Sequence, residues 1–236
     1  ADSILKVSGL RKSYRKKIIL NNVSFASLSK IQDDVERLRA VYRKMIKTSA
    51  FIVFPLMFGL AAVSQPLIYF TIGTKWKLCA LILQIICFMF IFMPIQSLSI
   101  NLIQAMGRSD LSLKISIVGK VLSLLVLFGA LPFGIIPMCW FSVVSSIIIL
   151  LINFYYVDKL LGVSIFRQLK DLVPSISLSI IMYVAVLFTI RLFSTDWQQL
   201  IAGVIVGIVL YIGLAFILKI KSLYDTIGVI KTMIHK

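Results

Sequence analysis

From about residue 49 onward the chain is a series of long, nearly uninterrupted apolar runs separated by short polar clusters. Six runs stand out: Ser49 to Gly73, Leu78 to Ile103, Ile115 to Leu131, Met138 to Tyr156, Pro174 to Phe193 and Leu200 to Leu218. Each is near the roughly 20 residues that an α-helix needs to cross about 30 Å of hydrocarbon. Membrane strands would alternate in polarity over about ten residues, whereas these runs are continuous and must satisfy their own backbone amides. The pattern therefore predicts an all-α polytopic membrane protein with six transmembrane helices. Pro132, Gly134 and Pro137 punctuate the run between Val121 and Tyr156. A single helix over that stretch would be about 54 Å long, so a tight hairpin at Leu131 to Pro137 and two crossings are expected.

Ahead of the runs the pattern is polar and changes near Phe25. Residues 1–25 carry β-branched pairs such as Ile18-Ile19 broken by Gly9 and Asn21-Asn22, which predicts an extended cytoplasmic segment. Residues 26–47 have helical period: Ser29 with Gln32 has capping-box spacing, and Ile31, Val35, Leu38, Tyr42 and Met45 fall on one face. Arg37, Arg39, Arg43, Lys44 and Lys47 fill the remainder, as expected of a basic amphipathic helix in the membrane interface or a solvated linker helix. Residues 48–218 then hold the six crossings, and residues 219–236 form a basic tail.

Composition agrees, with 60% hydrophobic and 14% charged residues, far fewer charges than a water-soluble surface requires. Lys and Arg number 25 against 9 Asp and Glu. Such an excess suits either nucleic acid or anionic headgroups; the basic residues flank apolar runs and no base-reading module is present, so nucleic acid is set aside in favour of membrane lipid. Summed over alternate loops, Lys and Arg divide 21 to 3, with Lys75, Lys77 and Arg191 on the poorer side. Positive charge is retained in the cytoplasm, so both ends are placed there. The polar start at Ala1, without a signal peptide or an early membrane helix, reads as a fragment.

Within the runs, Lys120 lies about a turn and a half inside the third. A lysine at mid-helix costs about 3 kcal/mol on insertion scales, so it either snorkels to cytoplasmic headgroups or faces a cavity that takes an anionic cargo. Gln96, Ser97, Ser99, Asn101 and Gln104 make the later half of the second run polar; they either line a wet route that meets sugar hydroxyls or join neighbouring helices. Pro55, Pro66 and Pro94 are candidate bends, and Gly203 with Gly207 a helix-packing face. Cys79, Cys87 and Cys139 lack metal-site spacing and read as packing residues. No cofactor is expected. The only histidine is His235, no carboxylate pair lies in an apolar run, and Gly129 and Gly134 have phosphate-loop spacing but are followed by Ile135, so neither acid–base catalysis nor nucleotide hydrolysis is expected.

Three stretches, Leu28-Ser-Lys-Ile-Gln-Asp-Asp34, Phe54-Pro-Leu-Met-Phe-Gly-Leu-Ala-Ala-Val63 and Gln104-Ala-Met-Gly-Arg-Ser-Asp110, resemble polysaccharide-export flippases of the Wzx-like branch of the multidrug/oligosaccharidyl-lipid/polysaccharide superfamily. The resemblance runs from about Phe25 onward. It implies the last six helices of a two-lobed bundle of about fourteen, which moves polyprenyl-diphosphate-linked oligosaccharide between leaflets by alternating access in the bacterial inner membrane. A missing N-terminal lobe or other export components would be its partners. In that setting Lys120 is the candidate for the diphosphate, and Gln96, Asn101 and Gln104 for the sugars. Ile4-Leu-Lys-Val-Ser-Gly-Leu-Arg-Lys-Ser-Tyr14 and Leu20-Asn-Asn-Val-Ser-Phe25 instead resemble the opening strands of an ATP-binding-cassette ATPase, and the two resemblances together read as a fusion or a rearranged frame.

The alternative function is a six-helix permease of an ATP-binding-cassette transporter, which would need an ATPase partner. A membrane glycosyltransferase or polymerase is disfavoured by the shortage of intramembrane carboxylates. Substituted-cysteine labelling tests the topology: positions beside Arg108 and Lys159 should react from one face of the membrane and positions beside Lys75 from the other.

Overall fold

The computed structural model describes residues 34–217. The extended segment 1–25, the Ser29/Gln32 capping box and the basic tail with His235 lie outside the described residues. Within them the chain folds as α1 (Val35–Ala62), α2 (Ser64–Thr71), α3 (Lys77–Phe90), α4 (Met93–Ala105), α5 (Ser109–Ala130), α6 (Ile135–Leu161), α7 (Ile165–Leu192) and α8 (Asp196–Ile217). Six helical segments are long and apolar enough to cross a membrane, α3 and α4 forming one of them. The fold is an all-α, multi-pass membrane bundle.

Helix ends extend beyond the apolar runs because backbone hydrogen bonding continues into the polar flanks, which hydropathy does not register. Thus α6 starts three residues before Met138 and ends five after Tyr156, and α7 begins at Ile165 rather than Pro174. The same effect joins the basic amphipathic stretch to the first crossing. Asp34 caps α1 by accepting from the Arg37 amide at 3.0 Å, and the helix then runs unbroken for 28 residues. Its Leu38, Tyr42 and Ile46 are at most 1% exposed, packed against protein rather than turned to headgroups.

Prolines account for the interruptions. A proline ring clashes with the carbonyl four residues back. Pro66 and Pro94 stand four residues after Ala62 and Phe90, the residues at which α1 and α3 end. At the second site Ile91 (φ −58°, ψ −34°) and Phe92 (φ −92°, ψ −10°) stay in the right-handed helical region, so the crossing bends without unwinding. Pro55 sits inside α1, and the carbonyl it leaves unpartnered, that of Phe51, accepts the Tyr211 hydroxyl of α8 at 2.7 Å. The expected hairpin is present as a short 3₁₀ turn, Leu131–Phe133, followed by Gly134 at φ 91°, a conformation that favours glycine.

α1 and α7 form the centre, with α3, α4 and α6 on one side and α8 on the other. Gly203 and Gly207 of α8 are buried against α7: a Cβ on Gly203 would approach Val63 and Val186 to 3.0 and 3.3 Å. The pair is a packing face, as the spacing predicted. Of the cysteines, Cys87 is buried and Cys79 and Cys139 half-buried, all as free thiols. α5 is peripheral: it meets α6 through Gly119, where a Cβ would lie 3.7 Å from Ile149, and turns Leu113, Ile117, Val121, Leu125 and Phe128 outward. Tyr211→Phe should lower stability by about 1–2 kcal/mol in denaturant titrations of the detergent-solubilised protein, because it strands the Phe51 carbonyl.

Candidate functional site

Among the described residues, two polar features stand out in the apolar interior. The first is a hydrogen-bonded node between four helices. Gln168 of α7, fully buried, donates through Nε2 to the carbonyls of Val163 (2.7 Å) and Phe154 (3.1 Å), while its Oε1 accepts the Tyr42 hydroxyl at 3.2 Å. That hydroxyl lies 2.8 Å from Ser99 Oγ of α4. One turn along α7, Asp171 takes a bidentate grip from Arg43 (2.7 and 2.8 Å) and a third contact from Lys47 (3.1 Å). Arg43 and Lys47 are four residues apart on α1, so both reach one carboxylate. The apolar stripe on α1 was legible; Gln168 and Asp171 as its partners were not singled out, because they lie beside Arg167 and Lys170 in the polar stretch ahead of Pro174, and their three-residue spacing on one helix face is the signal that could have found them.

The second feature is a cavity of about 320 Å³ beside the α3–α4 bend. Gln96 of α4, Ser123 of α5, and Ser142, Ser145 and Ser146 of α6 supply its polar wall, and Met89, Phe90 and Met93 at the bend part of the rest. Positions 142, 145, 146 and 149 recur at helical spacing, which puts three hydroxyls on one face of α6. Gln96 Nε2 donates to the Ser146 carbonyl at 2.9 Å, and Ser146 Oγ to the Met89 carbonyl at 3.0 Å, bracing the bend. Ser123 and Ser142 return their protons to carbonyls one turn back. Ser145, 4% exposed, does not: its hydroxyl has no hydrogen-bond partner among the described residues. No charged side chain lines the cavity. A second cavity of similar size is purely apolar, with Phe58, Phe88, Phe92 and Trp140 in its wall.

The four residues singled out from sequence are dispersed. Gln96 lines the polar cavity; Gln104 is exposed and donates to Ser112 at the α4–α5 turn at 2.9 Å; Asn101 is half-buried one turn before it. Lys120 is exposed on the outward side of α5, among Ile117, Val121 and Leu124, one turn before Ser123. It stands eleven residues into the helix, about 16 Å from its start, and has no ion-pair partner among the described residues. Ser142, Ser145 and Ser146 escaped the sequence reading because serine is common in membrane helices and their shared face becomes a cavity wall only when α4 and α5 close over it.

A family model described as polysaccharide biosynthesis protein matches residues 15–81, a span that contains two of the three stretches carrying the resemblance. The lipopolysaccharide biosynthesis protein WzxC of Escherichia coli (strain K12) is 30% identical over 152 residues, 64% of this chain and 31% of that protein. The chain is similar to Wzx-like membrane proteins of polysaccharide biosynthesis. An uncharacterized membrane protein in the cps region of Klebsiella pneumoniae is 25% identical over 92% of this chain and 46% of its own length. The teichuronic acid biosynthesis protein TuaB of Bacillus subtilis (strain 168) is 28% identical over 60% of this chain and 30% of its own length. The chain thus spans less than half the length of these relatives. No solved structure matches it. The residues that resemble an ATPase lie outside the described ones.

Gln168→Leu tests the node. It strips the Val163 carbonyl of its side-chain donor and the Tyr42 hydroxyl of one of its two partners, Ser99 remaining, and should cost about 1–3 kcal/mol in the unfolding of the purified protein, whereas Lys47→Ala, whose side chain is 42% exposed, should cost less than about 1 kcal/mol.

Proposed function

We propose that this chain forms part of a transporter that moves lipid-linked oligosaccharide across a bacterial inner membrane for cell-surface polysaccharide, without enzymatic turnover of the cargo. The observation that carries the reading is a neutral, hydroxyl-lined cavity beside the α3–α4 bend of a bundle of apolar helices, in a chain similar to Wzx-like proteins. Taking a sugar through hydrocarbon costs several kcal/mol for each hydrogen-bonding group left unpaired, and the protein must replace the water that is lost. Sites at the membrane midplane beside broken or bent helices are a common transporter solution.

The cargo in this reading is polyprenyl-diphosphate-linked oligosaccharide. Gln96 meets its sugars, Asn101 and Gln104 border the path at the α4–α5 end, and Lys120, one turn from the cavity edge, receives a phosphate. A cation stranded about halfway along an apolar face is costly without an anion, which motivates that assignment. The remainder of a two-lobed bundle, or other export components, completes the enclosure, and the charge bias puts both ends of the chain in the cytoplasm.

The test is export in a bacterial strain whose own flippase is deleted, complemented with the whole transporter that contains this chain. Lys120→Ala should cut surface polysaccharide at least about tenfold, with lipid-linked oligosaccharide accumulating at the cytoplasmic leaflet; an ion contact to a phosphate is worth at least that factor. Unchanged export would remove Lys120 from the cargo path, and export that stops when ATP is depleted while the ion gradient is held would turn the reading to an ATP-driven permease.

A further inference from the structure

At the basic end of the bundle it is α7, not α1, that turns an apolar stripe outward. On α1 the apolar positions Leu38, Tyr42 and Ile46 are buried against protein. On α7 Phe166, Val173 and Ile180 are exposed and recur at seven-residue steps, so the outward apolar face of the helix continues past Pro174 into its first turn, where Phe166 is 82% exposed. Lys170 stands on the same stripe, four residues after Phe166 and three before Val173. It is exposed and has no ion-pair partner among the described residues. With an apolar side chain on either side of it along the stripe, its ammonium lies at the depth where acyl chains give way to phosphates.

The surroundings add positive charge that the protein does not neutralise. Arg167, next to Phe166, is exposed. On the inner side of the same two turns Asp171 is shared by Arg43 and Lys47, whose side chains stay 37% and 42% exposed. Arg43 commits Nε and Nη2 to that carboxylate, and a single carboxylate offsets only one of the two cations. Residues 43–47 of α1 and 167–171 of α7 together hold five basic side chains and one acidic. We propose that this edge binds the headgroup of an anionic phospholipid, Lys170 and Arg167 meeting its phosphate while its acyl chains lie along Phe166, Val173 and Ile180. The occupant is a phospholipid rather than the diphosphate of a cargo, because the cations stand on an outward stripe and no residue of α7 lines the polar cavity. The site is independent of what the transporter carries.

The test places a bimane fluorophore on Phe166→Cys in the whole transporter with its native cysteines replaced, in nanodiscs of equal parts phosphatidylcholine and phosphatidylglycerol. Bromine on the acyl chains of one lipid or the other quenches the fluorophore when that lipid is its neighbour. Brominated phosphatidylglycerol should quench at least about fivefold more effectively than brominated phosphatidylcholine. Arg167→Gln with Lys170→Gln should bring the ratio close to one and leave the unfolding temperature unchanged, since neither side chain holds an ion pair in the fold, whereas Arg167→Lys with Lys170→Arg should keep the preference. Equal quenching by the two lipids overturns the site, as does a preference that survives in the glutamine variant. Polyprenyl diphosphate added in an amount equal to the protein should leave the preference in place; displacement of phosphatidylglycerol by it would hand the site to the cargo and overturn the phospholipid assignment.

Discussion

A buried amide with no water to fall back on sets the terms for this bundle. Gln168 has two donors and an acceptor to place at 0% exposure, and each finds a partner on a different structural element: Phe154 two turns before the end of α6, Val163 in the turn after that helix, and Tyr42 on α1, which in turn touches Ser99 on α4. Apolar contact alone aligns membrane helices weakly, because lipid tails compete on equal terms for the same surfaces. A fully satisfied polar node has one low-energy arrangement. It therefore fixes the register of α1, α4, α6 and α7 where leucines and isoleucines would tolerate several. Asp171 adds an ionic clamp on the same pair of helices, and its two cations cover a carboxylate whose side chain is 8% exposed.

With that end fixed, irregularities farther along the helices can serve other purposes. Pro55, Pro66 and Pro94 each release a carbonyl, and the fold treats them differently: α1 ends at Ala62, four residues ahead of Pro66, the α3–α4 crossing bends just ahead of Pro94, and α1 continues through Pro55 with a tyrosine from α8 taking the Phe51 carbonyl. The bend at Pro94 matters most for function. Two cavities of equal volume have Met89 to Met93 or their neighbours in their walls, one polar and one apolar, so the same local distortion opens space of opposite character. Gln96 and Ser146 brace the polar side with bonds to backbone carbonyls, which leaves Ser145 as the hydroxyl without a task in the fold.

Much of this was legible in the residues themselves. Continuous apolar runs of membrane length, punctuated at Leu131 to Pro137, determined six crossings and an all-helical fold, since lipid requires every backbone amide to be satisfied within its own segment. Glycine spacing on the last helix determined a close-packed face. Three short stretches pointed to Wzx-like proteins, and the match to a polysaccharide biosynthesis family and the likeness to WzxC agree with them. All of these depend on local chemistry, which is the level at which a sequence speaks directly.

Pairing between helices was decided elsewhere. Tyr42 looked like one more residue of an apolar stripe until its hydroxyl met Gln168, 126 positions away. Arg43 and Lys47 looked like solvated or headgroup-facing cations until Asp171 stood between them, and Gln96, Asn101 and Gln104, read together as the polar half of one run, take different places along α4 with Lys120 on the outward side of α5. The spacing of residues along one helix fixes which side chains share a face. Which face meets which neighbour, and so whether a serine braces a backbone or lines a cavity, depends on tertiary packing among helices whose outer surfaces are equally apolar, and only the assembled bundle settles it.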